Sequence, residues 1–259
     1  MPFSTPARSY SETRNRTSAE YVKFDQRYRV VLRMLDNESK QIFKHWIQAA
    51  NNGKGLSPVC PNLGEFKAGI CPIELSVQNL PFGDQERKNA VARRRFVVNV
   101  LDRTPYTTCK SCESETPGVT NPAAPRVKQC IRCEADITSQ KFEPLNKVKI
   151  LEGGPRLFNE QLNVIADMQA ADFGKDITEY DITFTTQGAL RDKKITAIPQ
   201  EPKPLPEDAL LDENGEPQKK FDLELLAEPA SVEEIELMME GATIDQLNAV
   251  RGIGTEEDD

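Results

Sequence analysis

The sequence has no run approaching the roughly 18 consecutive apolar residues of a membrane-spanning helix. Its first residues, MPFSTPARSYSETRNR, lack the apolar core of a secretory signal. One histidine in 259 residues leaves little room for triads or general acid–base schemes. There is no G-x-x-x-x-G-K-[ST] phosphate-binding loop, and Gly153-Gly154-Pro155 is too short for a nucleotide fingerprint. Aromatic residues are scarce at 7% and hydrophobic residues reach only 38%, so part of the chain is expected to stay unburied. Together these scarcities point to a soluble, intracellular, non-enzymatic protein whose six cysteines stay reduced.

What is present is segregated. Residues 1–160 carry 25 Lys+Arg against 17 Asp+Glu, a net +8, and residues 161–259 carry 8 against 24, a net −16. A basic front joined to an acidic back suits a polyanion-binding domain with an acidic appendage, although solvated charge distributes itself unevenly in many chains.

The pattern along the chain is mainly β. Residues 1–24 read as a basic, polar arm containing Arg8, Arg14 and Arg16. Strands are predicted at Tyr28–Leu35, Arg94–Leu101 and Lys147–Leu151, and across the alternating Tyr180, Ile182 and Phe184; Gln41–Ala49 is extended or helical. Leu157, Phe158, Leu162, Ile165 and Met168 recur at helical steps. Short strands, one helix and long insertions predict a mainly β fold with few helices, an OB-like barrel occupying residues 25–198. Pro199, Pro202, Pro204 and Pro206 open a stiff linker, so residues 199–259 are expected to be an acidic, largely flexible C-terminal tail. Within it, Ser231-Val-Glu-Glu234 matches a capping box ahead of a short helix.

Cys109-Lys-Ser-Cys112 and Cys130-Ile-Arg-Cys133 are separated by 17 residues. Two residues between thiolates let both sulfurs reach one ion from a tight turn, and two such turns complete a tetrahedron around zinc. A zinc ribbon inserted at about 105–140 is therefore expected, with a closed coordination shell that docks or stabilises and does not catalyse. A second, incomplete set consists of His45, Cys60 and Cys71, with Glu74 three residues after Cys71. A lone histidine and unpaired cysteines also occur as ordinary core residues.

The order of these pieces resembles the single-stranded-DNA-binding (helix-destabilising) proteins of T-even phages and related tailed phages, over roughly residues 10–200. The arm Arg14-Asn-Arg-Thr-Ser-Ala-Glu20 looks like that family's basic Ser/Thr association motif. The strand Tyr28–Leu35 follows, and then His45, Cys60 and Cys71 stand in the order of the family's His-Cys-Cys-Cys zinc site. Arg93-Arg94-Arg95 runs into a strand, and Lys147–Leu151 leads through Gly-Gly into the helix Arg156–Met168 and on to the strand Asp176–Phe184. Two departures stand out: Glu74 replaces the fourth cysteine, and the four-cysteine ribbon occupies what would be a loop.

The resemblance implies a protein that coats single-stranded DNA without sequence preference in replication, recombination and repair, in the cytoplasm of an infected bacterial host. Self-association would be cooperative, through Arg14, Arg16, Thr17 and Ser18, and the acidic tail would recruit replication and recombination proteins. Arg93, Arg94, Arg95, Lys147, Lys149 and Arg156 are the candidate phosphate contacts, and Phe43, Trp46 and Tyr106 the candidate stacking rings. Two alternatives stay open: a zinc-ribbon adaptor or transcription accessory protein with protein partners, and an RNA-binding protein.

Overall fold

A computed structural model describes residues 20–25, 28–51, 53–62, 70–118, 127–188 and 193–251. These fall into two compact units, one drawn from residues 20–39 and 97–221 (the sheet unit), the other from 40–96 and 222–251 (the helical unit).

In the sheet unit, β1 (Val30–Met34) pairs antiparallel with β3 (Arg93–Asp102) on one side and with β8 (Asp181–Gln187) on the other. β9 (Lys194–Pro199) pairs with β8, and β7 (Lys147–Gly153) with β3. The three arginines at the start of β3 are exposed or half-buried and its last seven residues are all buried, as expected of a strand with neighbours on both edges. β8 alternates, so Ile182, Phe184 and Thr186 are buried while Asp181, Thr183 and Thr185 between them are half-buried.

The outer edge of β9 is closed by a side chain. A helix α3 runs through Pro155–Leu157, a π turn at Phe158–Leu162 and Asn163–Phe173, and Gly174 ends it in the left-handed conformation. Gln161, in the π turn, accepts from the Ala197 amide at 2.9 Å and donates to the Ile195 carbonyl at 2.9 Å. Its carboxamide therefore occupies the place of the next strand's peptide.

Charge inside this unit is paired. The Arg33 side chain is 3% exposed and donates to Asp181 at 2.7 Å and to the carbonyls of Thr178 and Lys203, while Arg103 donates to the other Asp181 oxygen at 3.1 Å. A second small sheet carries β4 (Pro105–Thr108) between β5 (Glu115–Pro117) and β6 (Glu143–Pro144).

The helical unit holds β2 (Lys40–Lys44) and the short helices α1 (Pro72–Ser76) and α2 (Gln85–Ala90), followed after a long gap in sequence by α4 (Leu223–Leu226), α5 (Val232–Met239) and α6 (Ile244–Val250). Its core gathers Ile47, Ala50, Cys60, Cys71 and Ala92 with Ala230, Ile235, Met238, Ala242 and Leu247. The predicted capping box is formed: the Ser231 hydroxyl accepts from the Glu234 amide and Glu234 reaches back to the Ser231 amide. Thr243 and Gln246 form another.

The coarse expectation holds: the described residues are mainly β, with antiparallel sheets and few helices. Two boundaries differ. The stretch expected as one core at 25–198 is divided, because residues 40–96 pack with the chain's C-terminal part. The tail expected to be largely flexible contains three helices up to Val250, because Ile235, Met238 and Leu247 bury their side chains, which charge counting does not register. No helix among the described residues is long and apolar enough to cross a membrane. The association-arm residues Arg14, Arg16, Thr17 and Ser18 and the acidic end Thr255–Asp259 lie outside the described residues.

Removing Asp181 leaves the buried Arg33 without its carboxylate, a loss of about 3–5 kcal/mol for a broken buried pair. Asp181→Ala should lower the stability of the sheet unit by that order in urea unfolding followed by circular dichroism. A loss below about 1 kcal/mol, the range of an exposed pair, would show that Arg33 is held by the Thr178 and Lys203 carbonyls alone.

Candidate metal centres and nucleic-acid surfaces

Each Cys-x-x-Cys sits at the tip of an antiparallel hairpin. Thr108 pairs with Glu115 across the first and Gln129 with Asp136 across the second. The turns repeat one another bond for bond. The Cys109 amide donates to the Ser114 carbonyl and the Glu113 amide to the Cys109 carbonyl, as Cys130 does to Ala135 and Glu134 to Cys130. In both, the residue after the second cysteine turns left-handed, Glu113 at φ 57° and Glu134 at φ 60°.

Face to face, the turns place Cys109 Sγ 3.5 Å from Cys133 Sγ and Cys112 Sγ 3.5 Å from Cys130 Sγ. All four sulfurs lie within 4.8 Å of one another, and none of the six cysteines is in a disulfide. A tetrahedral ion with metal–sulfur distances of about 2.3 Å needs sulfur–sulfur edges of about 3.8 Å, so the donor set fits zinc. Ser114 Oγ lies 3.2 Å from Cys130 Sγ, and the Arg132 amide donates to the same sulfur at 3.4 Å. The Ser114 hydroxyl and the backbone amides draw the Cys130 thiol down to about 5, toward the thiolate a metal binds. Ile137, fully buried, packs beneath the cluster.

The second set also comes together. Lys44 bridges Val59 and Ile47 bridges Leu56, which makes residues 44–59 a hairpin with His45 on one arm and Cys60 just past the end of the other. Cys71 caps α1 and Glu74 lies in its first turn, so Cys71-x-x-Glu74 presents two donors from one turn as Cys-x-x-Cys does. His45 Nε2 is 3.3 Å from Cys71 Sγ and 4.0 Å from Glu74 Oε1, and Cys60 Sγ is 3.8 Å from the same Glu74 oxygen. The other Glu74 oxygen accepts from the Asn62 amide, which aims Oε1 at the sulfurs. All four donor residues are buried, Glu74 to 3% exposure.

Sharing a proton with Cys60 holds Cys71 low, at about 4, and drives Cys60 upward, while burial raises Glu74. His45, Cys60 and Cys71 bring their donor atoms within 4.8 Å of one another, a group that could hold a metal ion, and the Glu74 carboxyl stands beside it as a fourth candidate.

The candidate DNA contacts are dispersed. Arg93 and Arg94 are exposed at the start of β3, Arg95 is half-buried, and Arg156 is exposed in the first turn of α3. Lys149 is committed to a buried pair with Asp102 at 2.8 Å, its ammonium 5.8 Å from the ring centre of a half-buried Tyr106. Lys147 pairs with Glu20 at 2.8 Å on the surface. Phe43 packs against the core of the helical unit. Trp46 is 55% exposed.

One aromatic escaped the sequence reading. Phe82 is 85% exposed with the Arg87 guanidinium 3.8 Å above its ring, and Arg87 itself donates to the Leu80 carbonyl. The only sequence signal is an aromatic in the turn Pro81-Phe-Gly-Asp84 five residues before an arginine, which is too common to single out.

No protein-family model matches the chain, and no characterised protein does.

The two donor sets predict two metal equivalents in reduced, freshly purified protein, measured by elemental analysis. Cys109→Ser or Cys130→Ser should remove one, and His45→Ala or Cys60→Ser the other. Because thiolates bind metal only after losing a proton, both should be released on acidification. One equivalent that survives Cys109→Ser and disappears in Cys60→Ser would assign all the metal to the histidine site.

Proposed function

We propose that this is a non-enzymatic, zinc-containing single-stranded-DNA-binding protein of the kind that T-even and related tailed phages use. It coats exposed strands in replication, recombination and repair inside the infected bacterial host. In this reading the sheet unit is an OB-like barrel, the four-cysteine element a zinc ribbon and the acidic C-terminal region the recruiter of replication and recombination proteins. The arm at 1–24 supplies cooperative self-association.

The observation that carries the reading is the setting of Trp46. Its indole nitrogen donates to Gln48 Oε1 at 3.1 Å, and Gln48 in turn donates to the Gly53 carbonyl at 2.7 Å. Gly55, at φ +80°, has no side chain, and a Cβ there would stand 2.3 Å from the Trp46 ring. The ring is thus seated on bare backbone, with its polar edge satisfied and more than half of the side chain in water. An apolar plane held in that way is a surface for another plane, and every nucleobase has one.

Charge in the same unit agrees. Residues 40–96 carry 9 Lys+Arg against 4 Asp+Glu, a net +5, with Arg93 and Arg94 exposed. Stacking on aromatic faces is worth about 1–3 kcal/mol per base and hardly depends on base identity, which is the behaviour a coating protein needs.

Trp46 is the only tryptophan, so its emission reports directly. Titration with oligo-dT should quench it, and Trp46→Ala should weaken binding of labelled oligo-dT by about 1–3 kcal/mol. Charge reversal at Arg93 and Arg94 should weaken all strands alike and flatten the dependence of log affinity on log salt by about 0.7 per lost contact. Absence of salt-dependent binding to oligo-dT at low salt would end the proposal and favour a protein-binding adaptor.

A further inference from the structure

We propose that a metal ion held by His45, Cys60, Cys71 and Glu74 is the clasp that keeps the acidic C-terminal helices docked, so that metal occupancy decides whether that segment is closed or released. The proposal rests on the metal reading of this centre and does not depend on DNA binding.

Two backbone bonds that tie the C-terminal segment to its unit land beside the ligands or on the hairpin that carries one. The Ala230 amide donates at 3.0 Å to the carbonyl of Val59, the residue before Cys60. The Asn51 amide donates at 2.8 Å to the Ala242 carbonyl, from the hairpin that carries His45. Helix α1, which presents Glu74, packs against α5. Cys60 and Cys71 belong to the same buried cluster as Ala230, Ile235, Met238, Ala242 and Leu247. The two cysteines thus face the ligand set with their sulfurs and help to form the wall on which α5 and α6 sit.

Without a cation, that wall contains a buried carboxyl against thiols, and water must enter to solvate whatever charge they carry. Solvating them opens the apolar cluster that fixes the helices. With the cation bound, four ligands from three separate stretches of chain are tied at one point and the wall is rigid. The segment so held, residues 222–251, carries 8 Asp+Glu against a single arginine. Its one charged tie to residues 40–96 among the ion pairs described, Lys40–Glu224 at 2.6 Å, is exposed and worth little, so cohesion of the apolar cluster is the larger part of what holds it.

Linkage makes the argument two-sided. If metal favours the docked state by some factor, docking must favour metal by the same factor. In the full-length protein, amide hydrogen exchange over 222–251 should quicken about tenfold or more in Cys60→Ser, or in wild type stripped by a chelator, and return to its slow rate when zinc is added back. Leu247→Ala, which loosens α6 and removes no ligand, should release zinc to a chromophoric chelator about tenfold faster. Cys109→Ser serves as the control, losing metal from the ribbon and leaving exchange over 222–251 unchanged. If Cys60→Ser does not fold, chelation and zinc re-addition on wild type give the same readout. Unchanged protection of 222–251 in protein stripped at this centre overturns the proposal, and so does wild-type zinc release from Leu247→Ala. A protein that fails to bind oligo-dT yet shows both effects would refute the DNA reading and leave the clasp standing.

Discussion

An ionised thiol or carboxyl taken out of water must be matched by positive charge, and that constraint shapes both units of the chain. Cys60, Cys71 and Glu74 converge in a buried site whose nearest basic group is the single histidine. In the sheet unit, Asp181 is shared between Arg33 and Arg103, and Asp102 is answered by Lys149. The four-cysteine element solves the same problem with hydroxyl and amide donors around its sulfurs, a pattern that favours thiolates and so favours a metal. Where the charge is answered by side chains, the result is a fixed core. Where it is left to sulfur and carboxyl donors gathered at one point, the group is one that could hold a metal ion.

That distinction separates the roles of the two cysteine sets. The four-cysteine hairpins are local: their backbone bonds run between residues a few positions apart, and Ile137 supplies their own small core. The histidine set draws its donors from a hairpin, a segment end and a helix, and its cysteines also belong to the main cluster of the helical unit. In the proposed metal-bound protein, loss of an ion from the first would stay local, whereas loss from the second would reach the core.

The surfaces proposed for nucleic acid obey a related rule. A cation already bonded to a carboxylate has little left to offer a phosphate, so Lys149 counts for structure, and Arg93 and Arg94 remain available as exposed charge. An aromatic ring serves a ligand only when its own packing leaves a face outside, as for Trp46 on Gly55 and not for Phe43 in the core.

Local chemistry was legible in the sequence. The β-branched run at Phe96–Leu101, the alternation at Ile182 and Phe184, the capping box at Ser231–Glu234 and each Cys-x-x-Cys turn declare themselves within ten residues, because residue type and local spacing carry the pattern even where the strands' bonding partners lie far away. The π turn that aims Gln161 at β9 and the left-handed Glu113 and Glu134 carried no such mark. Nor did the docking of residues 222–251, since an acidic segment with a few apolar side chains has the same composition whether or not a partner surface exists. By itself the sequence determined the strands at β1, β3, β7 and β8 and the metal-ligand residue types, while β4, β5, β6 and β9 were not marked in it. Only the tertiary structure decided that Glu74 stands beside His45 and Cys60, and that the acidic segment closes the core around them, because both depend on contacts between residues far apart in the chain.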